Sequence, residues 1–203
     1  MKQRILDFCI KSIKKDNPDK YSNDQLAEIR YGLEGIYLTI TKMIIILAVA
    51  LLLGIFMEML AVMLCYNLLR ITGFGLHATK SWICLVSSLI TFIGGTLLVI
   101  YLDIPAFIKP FVCLFCVISF YLYAPADTIK RPIIKIKKRK IYKVVTVTIS
   151  LIYTFLCLYL KDKFLSNLFL ISMIIETILI LPLTYKIFKL PYNNYKTYIL
   201  NNN

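Results

Sequence analysis

Runs of about 20 apolar residues recur along this chain, the length an α-helix needs to cross a hydrocarbon layer about 30 Å thick. They fall at residues 36–56, 82–102, 106–123, 142–160 and 164–185, with a shorter and weaker run at 57–69. Inside lipid a backbone must satisfy its own polar groups, so such runs fold as helices. With 59% hydrophobic and 17% charged residues, the chain has little material left for a soluble domain. The expectation is an all-α integral membrane protein of about six transmembrane helices, the 57–69 segment being short or re-entrant. Residues 1–35 are polar and charged and lack the apolar core of a cleavable signal peptide. Between Lys2 and Lys15, basic residues alternate with Ile5, Leu6, Phe8, Ile10 and Ile13. Residues 1–35 are therefore expected to form a cytoplasmic amphipathic segment along the inner leaflet of the bilayer. Residues 36–190 would be the polytopic membrane domain, and 191–203 a flexible cytoplasmic tail.

The net charge of +13 could suggest a nucleic-acid partner, but its distribution argues against one. Lys130, Arg131, Lys135, Lys137, Lys138, Arg139, Lys140 and Lys143 form a run without an acid. Lys2, Arg4, Lys11, Lys14, Lys15, Lys20 and Arg30 precede the first apolar segment. Basic residues of membrane proteins collect on the cytoplasmic side, which accounts for both groups without nucleic acid. If both are cytoplasmic, an even number of spans separates them. Segments 82–102 and 106–123 supply two, so 57–69 must cross as well, with a turn near residues 56–59. Both termini then lie inside, and only Lys109, Lys161 and Lys163 face out, while Lys42 snorkels from within the first span.

By the same parity, residues 70–84 (RITGFGLHATKSWIC) lie at the cytoplasmic mouth of the second and third spans. This stretch holds the single histidine of the chain, His77, and a cysteine seven positions later, Cys84. On one straight helix the two would sit about 10 Å apart along the axis. A nucleophile and its base need hydrogen-bond reach, about 3 Å. The chain must therefore fold back between them, or the pair must come from two subunits. Gly73 and Gly75 loosen the backbone, and Ser81 is a candidate N-cap placing Cys84 at the third helical position. There a helix N-terminus, His77 and Lys80 would favour a thiolate, and the free amides could hold an oxyanion. The plainer alternative is a polar interface histidine beside an ordinary membrane cysteine.

The other cysteines carry less. Cys65, Cys113, Cys116 and Cys157 lie in or beside apolar segments, where cysteine behaves as a small hydrophobe. The C-x-x-C spacing of Cys113 and Cys116 lacks a redox fold around it. One histidine and no carboxylate cluster point to no metal, and no cofactor is expected.

The 70–84 stretch resembles the accessory gene regulator B family of Gram-positive bacteria, membrane endopeptidases that process quorum-sensing pro-peptides. Arg70, Gly75, His77 and Cys84 match in order and spacing. Residues 123–132 (YAPADTIKRP) with the basic run to Lys143 give a second match. Residues 30–34 (RYGLE), Ile175 with Glu176, and Leu181 with Pro182 are further echoes, so the likeness covers roughly residues 25–190. It implies that His77 and Cys84 are the catalytic pair of a thiol protease in the cell membrane. It also implies an AgrD-like pro-peptide substrate with an acidic C-terminal tail, and a homodimer in the lipid bilayer. Cys84 would cut the tail through an acyl-enzyme thioester, which a Cys or Ser of the substrate then attacks to close a thiolactone or lactone ring.

No clear third group orients His77. Glu34 and Asn67 are candidates because both lie near the inner ends of spans. Arg70 either clamps a substrate carboxylate or anchors its span. Lys130, Arg131, Lys135, Lys137, Lys138, Arg139 and Lys140 are expected to bind the acidic tail of the substrate, a role compatible with setting topology. Glu176, deep in the last apolar run, is either functional or bonded to another helix. A small peptide transporter with an incidental thiol and a non-catalytic membrane scaffold are the rival functions.

Overall fold

The computed structural model describes residues 2–16, 21–76, 81–128 and 133–195, the side chains of Lys15, Asp16, Asn23 and Ser81 excepted. Among them all regular structure is helical, and the protein has the all-α membrane fold expected. Five helices are long and apolar enough to cross a membrane: Asp24–Leu52, Phe56–Gly73, Trp82–Tyr101, Ile136–Tyr159 and Lys163–Ile180. Two compact units are present, Met1–Val49 and Ala50–Asn203.

In the first unit, α1 (Lys2–Asp16) runs antiparallel to the start of α2 (Asn23–Leu52). Lys2 pairs with Glu34 at 2.6 Å and Arg30 with Asp7 at 2.8 Å. Arg30 also donates to the Gln3 side chain. Leu6 is buried while Phe8 and Ile5 face out, as an amphipathic helix requires.

The second unit is built from α3 (Phe56–Gly73), α4 (Ser81–Leu89), a π-helical turn (Ile90–Gly94), α5 (Gly95–Tyr101), α6 (Lys109–Tyr123), α7 (Ile136–Tyr159), α8 (Lys163–Ile180) and α9 (Pro182–Ile187). Its central element is α8, against which α3, α5, α6 and α7 all pack. A Cβ on Gly95 would lie 2.9 Å from Ile175, so the glycine sets how closely α5 approaches α8. Polar bonds tie the helices where no water competes. Thr146 donates to Thr72 at 2.8 Å and Tyr153 to the Cys65 carbonyl at 3.0 Å, joining α7 to α3. At the other end of α8, Asn167 donates to the carbonyls of Val99 and Leu102, and Lys109 donates to Ser166.

Several boundaries differ from expectation. The turn after α2 falls at residues 53–55, where Gly54 takes φ 69°, rather than near 56–59. The segment expected to be short makes an 18-residue helix, α3, because Arg70 lies in its last turn and does not end it. The shorter apolar helix is α6, 15 residues, since residues 102–108 make a connection and Pro110 opens the helix. The last run does not continue to 185. Pro182 has no amide hydrogen and forces Leu181 to an extended ψ of 134°, which separates α8 from α9. Residues 191–195, expected to be flexible with the rest of the tail, are instead held. Tyr195 N–H donates to the Asp127 carboxylate at 2.9 Å, Asn194 donates to the Asp127 carbonyl, and Arg139 stacks 3.7 Å above the Tyr195 ring.

Candidate active site

The end of α3, the start of α7 and the ends of α6 and α8 meet at one end of the second unit. The chain leaves α3 through Phe74, whose φ of 62° is a left-handed value rarely taken by a side-chain-bearing residue, and Gly75 follows at φ 92°. Residues 74–76 are not helical, and neighbouring segments bond to them. Gly75 N–H donates to the Ala126 carbonyl at 2.7 Å, Ala126 N–H donates to Gly73 at 2.9 Å, and Leu76 N–H donates to Leu179 at 3.0 Å. The last bond uses a carbonyl that the C-terminal turn of α8 leaves without a helical partner.

Arg70 completes the enclosure. Its guanidinium donates to the Phe74 carbonyl and, at 2.5 Å, to the Leu76 carbonyl. It also faces Glu176 of α8 at 3.5 Å. Arginine suits this place because its planar fork presents Nη1 and Nη2 separately to the two carbonyls, where a lysine would offer a single nitrogen. Two glycines make the room. A Cβ on Gly73 would lie 2.7 Å from Glu176 Oε1, and one on Gly75 would fall on Arg70 Nη1 and 2.9 Å from the Leu179 carbonyl oxygen. Of the two roles weighed for Arg70, the side chain performs one closer to anchoring: it grips its own loop.

His77 lies outside the described residues, as does Lys80, and so does the pairing of His77 with Cys84. The flanks of that pairing are described. The helix does not continue from Gly73 into the His77 stretch, because residues 74–76 are not helical. The helix α4 includes Ser81, so Cys84 is its fourth residue, still in the first turn, rather than the third residue after a Ser81 cap. Cys84 is half-buried, and its carbonyl accepts from Ser87 Oγ at 3.1 Å.

The remaining candidates divide. Glu34 is paired with Lys2 in the first unit. Asn67 sits on α3, half-buried, one turn before Arg70 and without a hydrogen-bond partner among the described residues. Lys130 and Arg131 are outside the described residues. Lys135, Lys137, Lys138 and Lys140 are exposed at the start of α7. Arg139 differs from them: it pairs with buried Asp127 at 3.4 Å and donates to the Pro125 carbonyl at 3.2 Å.

Asp127 escaped the sequence analysis, although it is 1% exposed and organises this end of the unit. Its carbonyl accepts from Tyr185 and Asn194, its carboxylate from the Tyr195 amide, and Arg139 supplies the counter-charge. The usable signal was an acid directly after Ala-Pro-Ala and ahead of a basic run free of acids. Ala126 beside it carries the bonds to Gly73 and Gly75. Ala126 of this motif, next to Asp127, therefore stands against the chain that leads to His77.

Comparison with known proteins agrees in extent with this layout. The family model described as Accessory gene regulator B matches residues 6–180. A putative AgrB-like protein of Listeria innocua serovar 6a is 32% identical over 202 residues, covering 98% of this chain and 95% of the relative. One from Listeria monocytogenes serovar 1/2a is 31% identical over 204 residues, with the same coverage. The Accessory gene regulator protein B of Staphylococcus aureus (strain JH9) is 30% identical over 184 residues, covering 89% of this chain and 94% of that protein. No solved structure matches the chain.

Proposed function

Because the chain belongs to the accessory gene regulator B family, we propose that it matures the peptide signal of a quorum-sensing system, acting as a membrane cysteine endopeptidase on an AgrD-like pro-peptide. The observation that carries this reading is the break in the helix between Gly73 and Ser81. Without a straight helix, the axial separation of about 10 Å is no longer imposed on the pair, and Cys84 stands on the first turn of α4. The site faces the cytoplasm, on the side of the basic run.

The chemistry follows from the groups. His77 takes the proton of Cys84, and the thiolate attacks the carbonyl joining the signal segment to the acidic tail. Amides of the first turn of α4 receive the developing oxyanion. His77 then protonates the leaving amine, and the tail departs, leaving the signal segment as a thioester on Cys84. Attack by a substrate thiol or hydroxyl closes the ring and returns the Cys84 thiol. A partly dry site favours that ring closure over water.

The test is to trap the intermediate. A precursor whose ring-closing Cys or Ser is replaced by alanine should release its tail and leave the signal segment on Cys84 as a hydroxylamine-labile adduct. Mass spectrometry of the peptide containing Cys84 reads it directly. Tail release without any adduct there would reject the mechanism.

The exposed cations Lys135, Lys137, Lys138 and Lys140 serve, with Lys130 and Arg131, as the dock for the acidic tail. Arg139 belongs to this group by position but holds Asp127. Changing Lys135, Lys137, Lys138 and Lys140 together to glutamine should weaken precursor binding about tenfold or more at low salt, and less at high salt. Changing Arg139 alone should instead lower thermal stability. Equal precursor affinity before and after the four changes would remove the docking role.

A further inference from the structure

Glu176 is fully buried on α8, and neither carboxylate oxygen has a hydrogen-bond partner among the described residues. Its one charged neighbour in ion-pair range is Arg70, at 3.5 Å. The same guanidinium binds the carbonyls of Phe74 and Leu76, the last two carbonyl acceptors it reaches before His77. A carboxyl group kept so deep, with no hydrogen bond to either oxygen among the described residues, carries a desolvation cost that Arg70 offsets. Gly73 is the site at which a side chain would collide with it, so the backbone is shaped to admit Glu176 as well as Arg70.

Resting on the peptidase reading above, we propose that Glu176 is a positioning residue for the reaction, acting through Arg70 to fix the approach of the His77 segment to Cys84. The anion holds the guanidinium at the depth where it can grip both carbonyls. Without it, the buried cation is drawn toward the surface and the Leu76 carbonyl is released. The role is distinct from substrate binding, since Glu176 is closed to any ligand.

Substitutions at Glu176 and Arg70 test this in the full-length protein in membranes or detergent, with purified precursor as substrate. Glu176→Gln keeps the shape and removes the charge. Its kcat for tail release should fall 10- to 100-fold while KM stays within about twofold of wild type. Glu176→Asp, which keeps the charge, should recover part of that loss. Arg70→Ala should be at least as slow as Glu176→Gln, and the double variant Arg70→Ala/Glu176→Gln no slower than Arg70→Ala alone. Additive losses in the double variant, or a wild-type kcat for Glu176→Gln, would overturn the proposal. If Glu176→Gln does not accumulate as folded protein, Arg70→Lys carries the test. A lysine offers one nitrogen where Nη1 and Nη2 each hold a carbonyl, so the same kcat-selective loss is expected, and a wild-type kcat would overturn the inference. Cys84→Ala run in parallel separates this from the parent reading: cleavage that survives it refutes the peptidase, whatever Glu176 does.

Discussion

Alanine at either Cys84 or His77 is expected to abolish release of the precursor tail, a loss of at least about 10⁴-fold in rate. The two changes should not add, because a nucleophile and its base work as one unit and either loss disables both. The double variant is therefore expected to match the singles. Cys84→Ser distinguishes the rival classes more sharply than alanine does. A serine hydroxyl at neutral pH is a far weaker nucleophile than a thiol, so the peptidase should leave the precursor intact. A transporter with an incidental thiol should accept the same change almost without loss. Precursor binding should survive all of these substitutions, since the described docking cations, Lys135, Lys137, Lys138 and Lys140, lie at the start of α7 and not on α4. Coexpression of each variant with the precursor, followed by mass spectrometry of the released tail, gives the answer. Processing that persists in both alanine variants would end the assignment.

The helices were legible because the bilayer imposes a length and a polarity that a sequence must obey. What the runs do not reveal is where a helix stops inside them. Pro182 was visible within the last run, and its effect on Leu181 is local, so the break between α8 and α9 could have been placed beforehand. The extent of α3 was harder to read. A charged Arg70 looked like a span end, yet it remains helical because its charge finds Glu176 and two loop carbonyls.

The site was legible as residue types and illegible as partnerships. Arg70, Gly75 and Glu176 each stood out, but nothing in linear spacing joins Arg70 to a carboxylate more than 100 positions later. Only the packing of α3 on α8 does that. From the sequence the glycines read as looseners of the backbone. Their role is tighter: Gly73 and Gly75 are where a side chain would strike the ion pair. Arg139 looked like one more cation of the run. Its partner Asp127 lies upstream in a turn whose importance depends on the tail returning to it, and a tail of Asn and Tyr carries no sequence signal for that.

Gly75→Ala separates a crowded glycine from a flexible one. The substitution meets three obstacles at once: φ of 92°, a Cβ on Arg70 Nη1, and a contact of 2.9 Å with the Leu179 carbonyl oxygen. The backbone penalty alone is about 1–2 kcal/mol. Relief of the overlap must move Arg70 or the loop, at a further cost of about 1–3 kcal/mol. Either movement disturbs the Leu76 bonds to Leu179 and Arg70, and with them the path to His77. Displacement of a reacting group by about 1 Å can cost 100-fold in rate. Tail release by Gly75→Ala is therefore expected to fall at least about 100-fold, with a lower unfolding temperature in detergent. Gly35→Ala is the control, since a Cβ there meets nothing within 4 Å and the helix should accept alanine without loss. Wild-type cleavage and stability in Gly75→Ala would show that the loop is not held as described. Combining it with Arg70→Ala sharpens the point. Removing the guanidinium gives the new methyl group room, so part of the stability should return. Activity should not, because the group that grips the Leu76 carbonyl has gone.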